Sequence, residues 1–127
     1  MDDAIGTRAL LAERLEYEML RHARHERALA LFAVEVDRED AVAETARTLR
    51  GTLRAQDTVA RVGGRALCVL APETDRYAAT HLGARLREAV AGARVGFALF
   101  PHDARGPREL LARAAAAREA TDRRRAA

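Results

Sequence analysis

Four histidines, one cysteine and a dense set of arginines and carboxylates are the side chains of this chain that could bind or react. His22 and His25 form an i, i+3 pair on a segment of helical period, which turns both rings toward one side. A zinc site would need further ligands, and no cysteine or carboxylate stands at a spacing that supplies them. Histidines near a helix C-terminus suit the helix dipole, so the pair is read as an exposed helix face. His81 and His102 stand alone, and no metal is assigned. Cys68 lies in the apolar run Ala66 to Ala71 and has no second cysteine to pair with. It reads as a buried structural thiol in a reducing, cytoplasmic setting. The sequence contains no Gly-x-Ser-x-Gly elbow, P-loop or Cys-His arrangement, so none of those chemistries has a sequence warrant.

Two charged constellations remain. Glu35 and Asp37 close an apolar run, where they mark an exposed strand end or pair with Arg65 across a sheet. Arg54 and Asp57 stand just ahead of Thr58 to Val62 and the pair Gly63-Gly64. Read locally, Arg54 ends a helix, where a cation suits the dipole, and Asp57 fixes the turn into the next strand.

The 127 residues carry 22 basic and 19 acidic side chains, a net charge of +3, and no lysine. The arginines are interspersed with carboxylates along the helical segments, which describes a solvated mixed surface. Aromatics make up 4% with no tryptophan, so the stacking platforms of a nucleic-acid reader are missing and nucleic acid is not expected as a partner. Arg123, Arg124 and Arg125 favour the end of a helix dipole more readily than they build a phosphate site. No apolar stretch approaches the length of a bilayer span and the start is acidic, so no membrane insertion or export is expected. The length suits one domain, residues 1–127.

Elements must position these residues. Helical spacing of Leu11, Leu15 and Met19 predicts a helix over Gly6 to His25. Ala28 to Val36 is a continuous apolar run that reads as a buried strand. Val42, Ala46, Leu49 and Leu53 predict a helix over Asp40 to Leu53. Thr58 to Val62 and Ala66 to Leu70 form a hairpin in the middle of the sheet, with Gly63 and Gly64 supplying positive φ. Pro72 stops the second strand, Thr74 or Asp75 caps a helix through Val90, and Gly92 closes it. Arg94 to Phe100 is a last strand, and Pro107 opens an alanine-rich helix toward Asp122. The order is strand, helix, strand, strand, helix, strand, a ferredoxin-like βαββαβ arrangement of α/β (α+β) class with flanking N- and C-terminal helices. It should carry helices on one face of a mainly antiparallel sheet.

Arg54-Ala-Gln-Asp57, the strand from Thr58, Gly63-Gly64, Leu67, Val69, Leu70, Pro72 and Thr74 together resemble the diguanylate cyclase (GGDEF) family. That family carries Arg-x-x-Asp, a strand, Gly-Gly-Asp-Glu-Phe, a second strand and Pro-x-Thr at this spacing. Val95-Gly96-Phe97-Ala98, Pro101 and Glu109-Leu110-Leu111 are similar to later family segments, and Asp3 with the helix after it resembles a worn form of the opening one. The resemblance spans almost the whole chain and implies the palm-like fold of nucleotidyl cyclases. Members usually follow a sensor or receiver domain, which leaves open that the chain is a piece of a longer protein.

The same resemblance exposes three departures. Cyclases of this family join two GTP molecules using Mg²⁺-type ions held by carboxylates at the first strand end and at the hairpin turn. Glu35 and Asp37 occupy the strand-end positions, but the degenerate signature turn Gly63-Gly64-Arg65-Ala66-Leu67 places a cation and a methyl where the Asp-Glu pair belongs. The motifs that build the guanine pocket are missing between Asp37 and Arg61, and Ala114 to Asp122 lacks the phosphate-facing lysine of the last helix. The resemblance therefore implies a catalytically inactive domain with no cofactor, acting as a regulatory or protein-interaction module on another signalling protein or a second copy of itself. Arg54 and Asp57 match the family's inhibitory site for cyclic di-GMP, with Arg61, Arg76 and Arg85 as candidates for a further arginine. That match makes a cyclic di-GMP receptor the alternative, ahead of residual cyclase activity through Glu35 and Asp37.

Overall fold

In a computed structural model, residues 5–25 and 27–126 are described, with the side chains of 23 and 122–126 set aside. Asp3 lies outside the described residues, as do the side chains of Arg123, Arg124 and Arg125. The elements run β1 (Ile5–Gly6), α1 (Arg8–His25), β2 (Leu29–Glu35), a single 3₁₀ turn (Glu39–Ala41), α2 (Val42–Thr52), β3 (Thr58–Arg61), β4 (Ala66–Ala71), α3 (Arg76–Ala89), β5 (Arg94–Phe100) and α4 (Pro107–Ala126). The five strands form one sheet in the order β1-β3-β4-β2-β5.

The βαββαβ core is as expected, and its strand bounds agree to within one residue at each end. The first segment differs. Gly6 belongs to a two-residue strand that pairs in parallel with β3, Ile5 opposite Val59 and Gly6 opposite Ala60, and α1 begins only at Arg8. The Thr7 hydroxyl accepts a hydrogen bond from Leu10 N at 3.1 Å, an N-cap that sets the helix start after the strand. This added strand is what gives β3 a neighbour on both sides.

The sheet is covered on both faces, not one. Side chains alternate along a strand, so Ala30, Phe32 and Val34 of β2 point to one side and join Val42, Ala46 and Leu49 of α2 with Ala79 and Leu86 of α3. Leu29, Leu31 and Ala33 point to the other and join Leu11 and Leu15 of α1 with Leu110 and Ala114 of α4. The flanking helices thus make a second layer, and double burial explains why β2 reads as an unbroken apolar run. Helix α4 lies so near β5 that a Cβ on Gly96 would fall 2.1 Å from Arg118 N, which leaves glycine as the residue that fits.

Asp75, not Thr74, caps α3: its side chain accepts from Ala78 N at 2.9 Å. Gly92 closes the loop after that helix at φ +85°. Gly63 and Gly64 do not adopt positive φ, contrary to expectation, because Gly92 is the positive-φ glycine among the described residues. Their turn is held from outside instead, by side chains described below.

Candidate functional site

The strand-end acids Glu35 and Asp37 and the Gly63-Gly64 hairpin meet at one end of the sheet. Antiparallel pairing sets Glu35, the last residue of β2, opposite Ala66 at the start of β4 and opposite Arg94 at the start of β5. Val36 N donates to the Arg65 carbonyl at 2.9 Å, which fixes the hairpin tip against the strand end.

Arg94 dominates this corner. Its Nη2 and Nε donate to Glu35 Oε1 at 2.8 and 3.2 Å, and its Nη1 donates to Asp37 Oδ1 at 3.1 Å. Arg65 stands further off, with Nη2 3.8 Å from Glu35 Oε2 and Nη1 3.4 Å from the Asp37 carbonyl. The expected pairing of Glu35 and Asp37 with Arg65 is therefore secondary to one with Arg94. Strand register is the reason, since it places Arg94 directly across from Glu35 while Arg65 must reach in from a turn. Hydrogen bonding from Arg94 holds the Glu35 carboxyl below its ordinary pKa, with the charges of Arg118, Arg94 and Arg65 adding to the effect against partial burial.

Arg61 ties the signature turn together. Its Nε and Nη2 donate to the carbonyls of Gly63 and Gly64 at 3.1 and 2.9 Å, and Nη2 also reaches Glu39 Oε1 at 3.5 Å. Glu39 packs beside Gly64, so a guanidinium and the 3₁₀ turn hold the loop shape that positive-φ glycines were expected to give. Ala66 N closes onto the Gly63 carbonyl, and Leu67 is buried in the sheet.

Arg54 and Asp57 form the second constellation, at the opposite end of β3 from the Gly63-Gly64 turn. Asp57 is 3% exposed. Its Oδ2 accepts from Arg54 N at 2.9 Å and from Arg54 Nε at 3.4 Å, and its Oδ1 accepts from Arg54 Nη2 at 3.0 Å. The same Nη2 donates to the Pro72 carbonyl at 2.7 Å and to Thr74 Oγ1 at 3.1 Å. Arg54 thus clamps the loop after α2 to the loop after β4. Helix α2 ends at Thr52, so Arg54 lies beyond the helix instead of ending it. Its neighbour Arg50, in the last turn, binds the carbonyls of Asp57 and Arg54. Of the three further arginines, Arg85 lines a cavity of about 180 Å³ with Arg54, Asp57 and Glu73. Arg76 pairs with Asp103 at 2.8 Å and Arg61 serves the turn.

The other expectations resolve locally. Cys68 is buried, and burial pushes its thiol up to about 11. His22 is half-buried, edge-on to Phe100 with ring centroids 5.1 Å apart, and donates to the Arg27 carbonyl; the loop into β2 folds back over it, so it is not on an exposed face. His25 and His102 are exposed, and His81 packs on Tyr77. The residues missed from sequence are Arg94 and Arg118, and a register count from Glu35 across to the last strand is the signal that finds the first.

A sheet in this strand order, with a Gly-Gly hairpin tip beside a carboxylate-bearing strand end, defines a palm of the nucleotidyl cyclase type. The family model described as "Diguanylate cyclase, GGDEF domain" matches residues 39–125, and the chain belongs to the GGDEF family. Among solved structures it is similar to the isolated GGDEF domain of TpbB, or YfiN, from Pseudomonas aeruginosa, at 24% identity and TM-score 0.86 over 97% of this chain and 88% of that one. It is similar to a sensory box/GGDEF family protein from Caulobacter crescentus at 25% identity and TM-score 0.82, over 92% of each. Diguanylate cyclase SiaD from Pseudomonas aeruginosa, in complex with its activator SiaC, is 26% identical with TM-score 0.78, over 92% of this chain and 55% of SiaD. No curated protein matches the chain.

Proposed function

We propose that residues 1–127 act as one GGDEF-family domain without cyclase activity, a cytoplasmic regulatory module that works by contact with another signalling protein or with a second copy of itself. The observation that carries this reading is the Arg94 clamp. A Mg²⁺-type ion needs hard oxygens in near-octahedral order, and besides Glu39, which faces Arg61, the donors on offer are the two carboxylates of the strand end. Those donors are held by Arg94, with Arg65 and Arg118 adding positive charge around Glu35. Among the described residues no cluster of three or more His, Cys, Asp or Glu side chains is set to hold an ion. The residues present do not fit the metal centre of a cyclase, and no step through such a centre is derived. Protein contact as the mode of action gains support from SiaD, which is solved with its activator. The buried, unpaired Cys68 supports a reducing compartment, and no described helix is long and apolar enough to cross a membrane.

Incubation with GTP and magnesium, read by chromatography, should yield no cyclic di-GMP. Product formation abolished by Glu35→Ala would overturn the reading and restore a cyclase.

A second reading, a cyclic di-GMP receptor, draws on the cavity of about 180 Å³ where Arg54, Asp57 and Arg85 converge. Guanidinium can fork onto a guanine edge or phosphate. Against it, the Arg54 guanidinium already bonds internally, so a ligand must compete with Asp57, Pro72 and Thr74. Calorimetric titration with cyclic di-GMP, repeated on Arg54→Ala, separates the two: heat that vanishes in the variant selects the receptor, and silence selects the contact module.

A further inference from the structure

Helices α1 and α4 share one face of the sheet but leave a cleft between them. It has a volume of about 360 Å³, inside the range of small-molecule sites. Leu11 and Leu15 of α1, Leu111 of α4, and Ala33, Ala66 and Cys68 of the sheet supply an apolar lining. Two polar side chains, Arg8 and Arg118, join them, and no carboxylate does. Leu111 stays 36% exposed at the cleft, an apolar surface that water must cover if nothing else does.

The charge arrangement is one-sided. Arg8 comes from the start of α1 and donates to the Val62 carbonyl, while Arg118 comes from the middle of α4 and lies 3.6 Å from Glu119 Oε1. Both guanidiniums lie near enough to Cys68 to oppose the upward push that burial exerts on its thiol. An apolar chain in the cleft would cover Leu111 and the thiol, and an anionic head would find two guanidiniums, competing for Arg118 with Glu119, which lies off the lining. A cationic amphiphile would meet repulsion at the same place.

We propose that this cleft binds a small amphipathic anion, an alkyl carboxylate of medium chain length, with its tail between α1 and α4 and its head on Arg118 and Arg8. The site is on the α1/α4 face, away from the Arg54–Asp57 cavity, and it does not depend on the reading of the nucleotide site. Arg118 also contributes to the field at Glu35, so an anion taken up by Arg118 would be felt at the hairpin corner.

The test is calorimetric titration of the full chain with dodecanoate below its micelle concentration, beside dodecanol and a dodecyl ammonium salt. One site is expected, with dodecanoate roughly tenfold or more tighter than dodecanol, the worth of one charge-assisted hydrogen bond. Arg118→Gln should remove most of that difference while leaving the dodecanol affinity in place. Ala115→Trp, at a partly exposed position on the lining, should block binding while thermal unfolding shows the domain folded. Equal affinity for the anionic and cationic amphiphiles, or binding that survives Ala115→Trp, would overturn the proposal. So would absence of binding together with a concentration-dependent dimer that Leu111→Glu dissociates, which assigns the cleft to a second copy.

Discussion

Glu35 and Arg94 face each other across a paired position of β2 and β5, with Arg94 Nη2 2.8 Å from Glu35 Oε1. Both side chains are largely sheltered, at 24% and 19% exposure, so water screens the pair less than it would on an open surface. Each member of the pair thus neutralises the other within the sheet corner.

Replacing Arg94 with alanine should lower stability by about 1–2 kcal/mol, the range for a half-sheltered charged hydrogen bond, because Glu35 and Asp37 then face each other with Arg65 as the nearer remaining cation. Urea unfolding of the wild type and variant measures it.

A pH titration of stability should carry the same signature. A carboxylate whose folded pKa lies below its ordinary 4.5 adds stability above that pH and loses it as pH falls through the folded value. Glu35 should therefore make the domain less stable from about pH 4.5 downward. Arg94→Ala should flatten that slope, and an unchanged slope in the variant would count against the clamp.

Asp57→Ala should cost about 3 kcal/mol, since it leaves the Arg54 amide without its acceptor and frees the guanidinium that joins two loops. Thermal unfolding should show the loss without change in helical circular dichroism of the remaining folded fraction.

Gly96→Ala should destabilise by about 1–3 kcal/mol, the cost of overpacking, because the added methyl would overlap Arg118 N and the Ala117 carbonyl carbon and push α4 off the sheet. Gly51→Ala, where nothing lies within 4 Å and the residue is helical, should instead be neutral or mildly stabilising.

Cys68 should resist thiol reagents in the native state at pH 8. Its pKa of about 11 leaves little thiolate, and the sheet buries it. Rapid modification should appear once urea unfolds the chain, and fast native labelling would show that the α1/α4 face opens.

Periodicity carried the core of the fold because burial acts locally and repeatedly. Val42, Ala46 and Leu49 could serve only one helix face, and Arg94 to Phe100 only one strand, and both lie where that pattern put them. The two-residue β1 left no periodic trace, since a strand that short is defined by its partner Val59–Ala60 and not by its own side chains. The second helical layer was equally hidden. An apolar run such as Leu29 to Val34 tells that both faces of a strand are dry, but not which helices dry them.

The sequence by itself determined that acids are missing from the signature turn, that Arg54 and Asp57 persist, and that Glu35 and Asp37 end a buried strand, because residue identity at a motif position needs no third dimension. Only the tertiary structure decided what those residues do with their charge. Antiparallel register carries Arg94 onto Glu35 from a position 59 residues away. Loop approach lets Arg54 spend its donors on Pro72 and Thr74, and the second layer of helices opens the cleft that Arg8 and Arg118 share. Electrostatic pairing falls off over a few ångströms, so which cation serves which acid is a fact of distance in the folded chain and not of spacing along it.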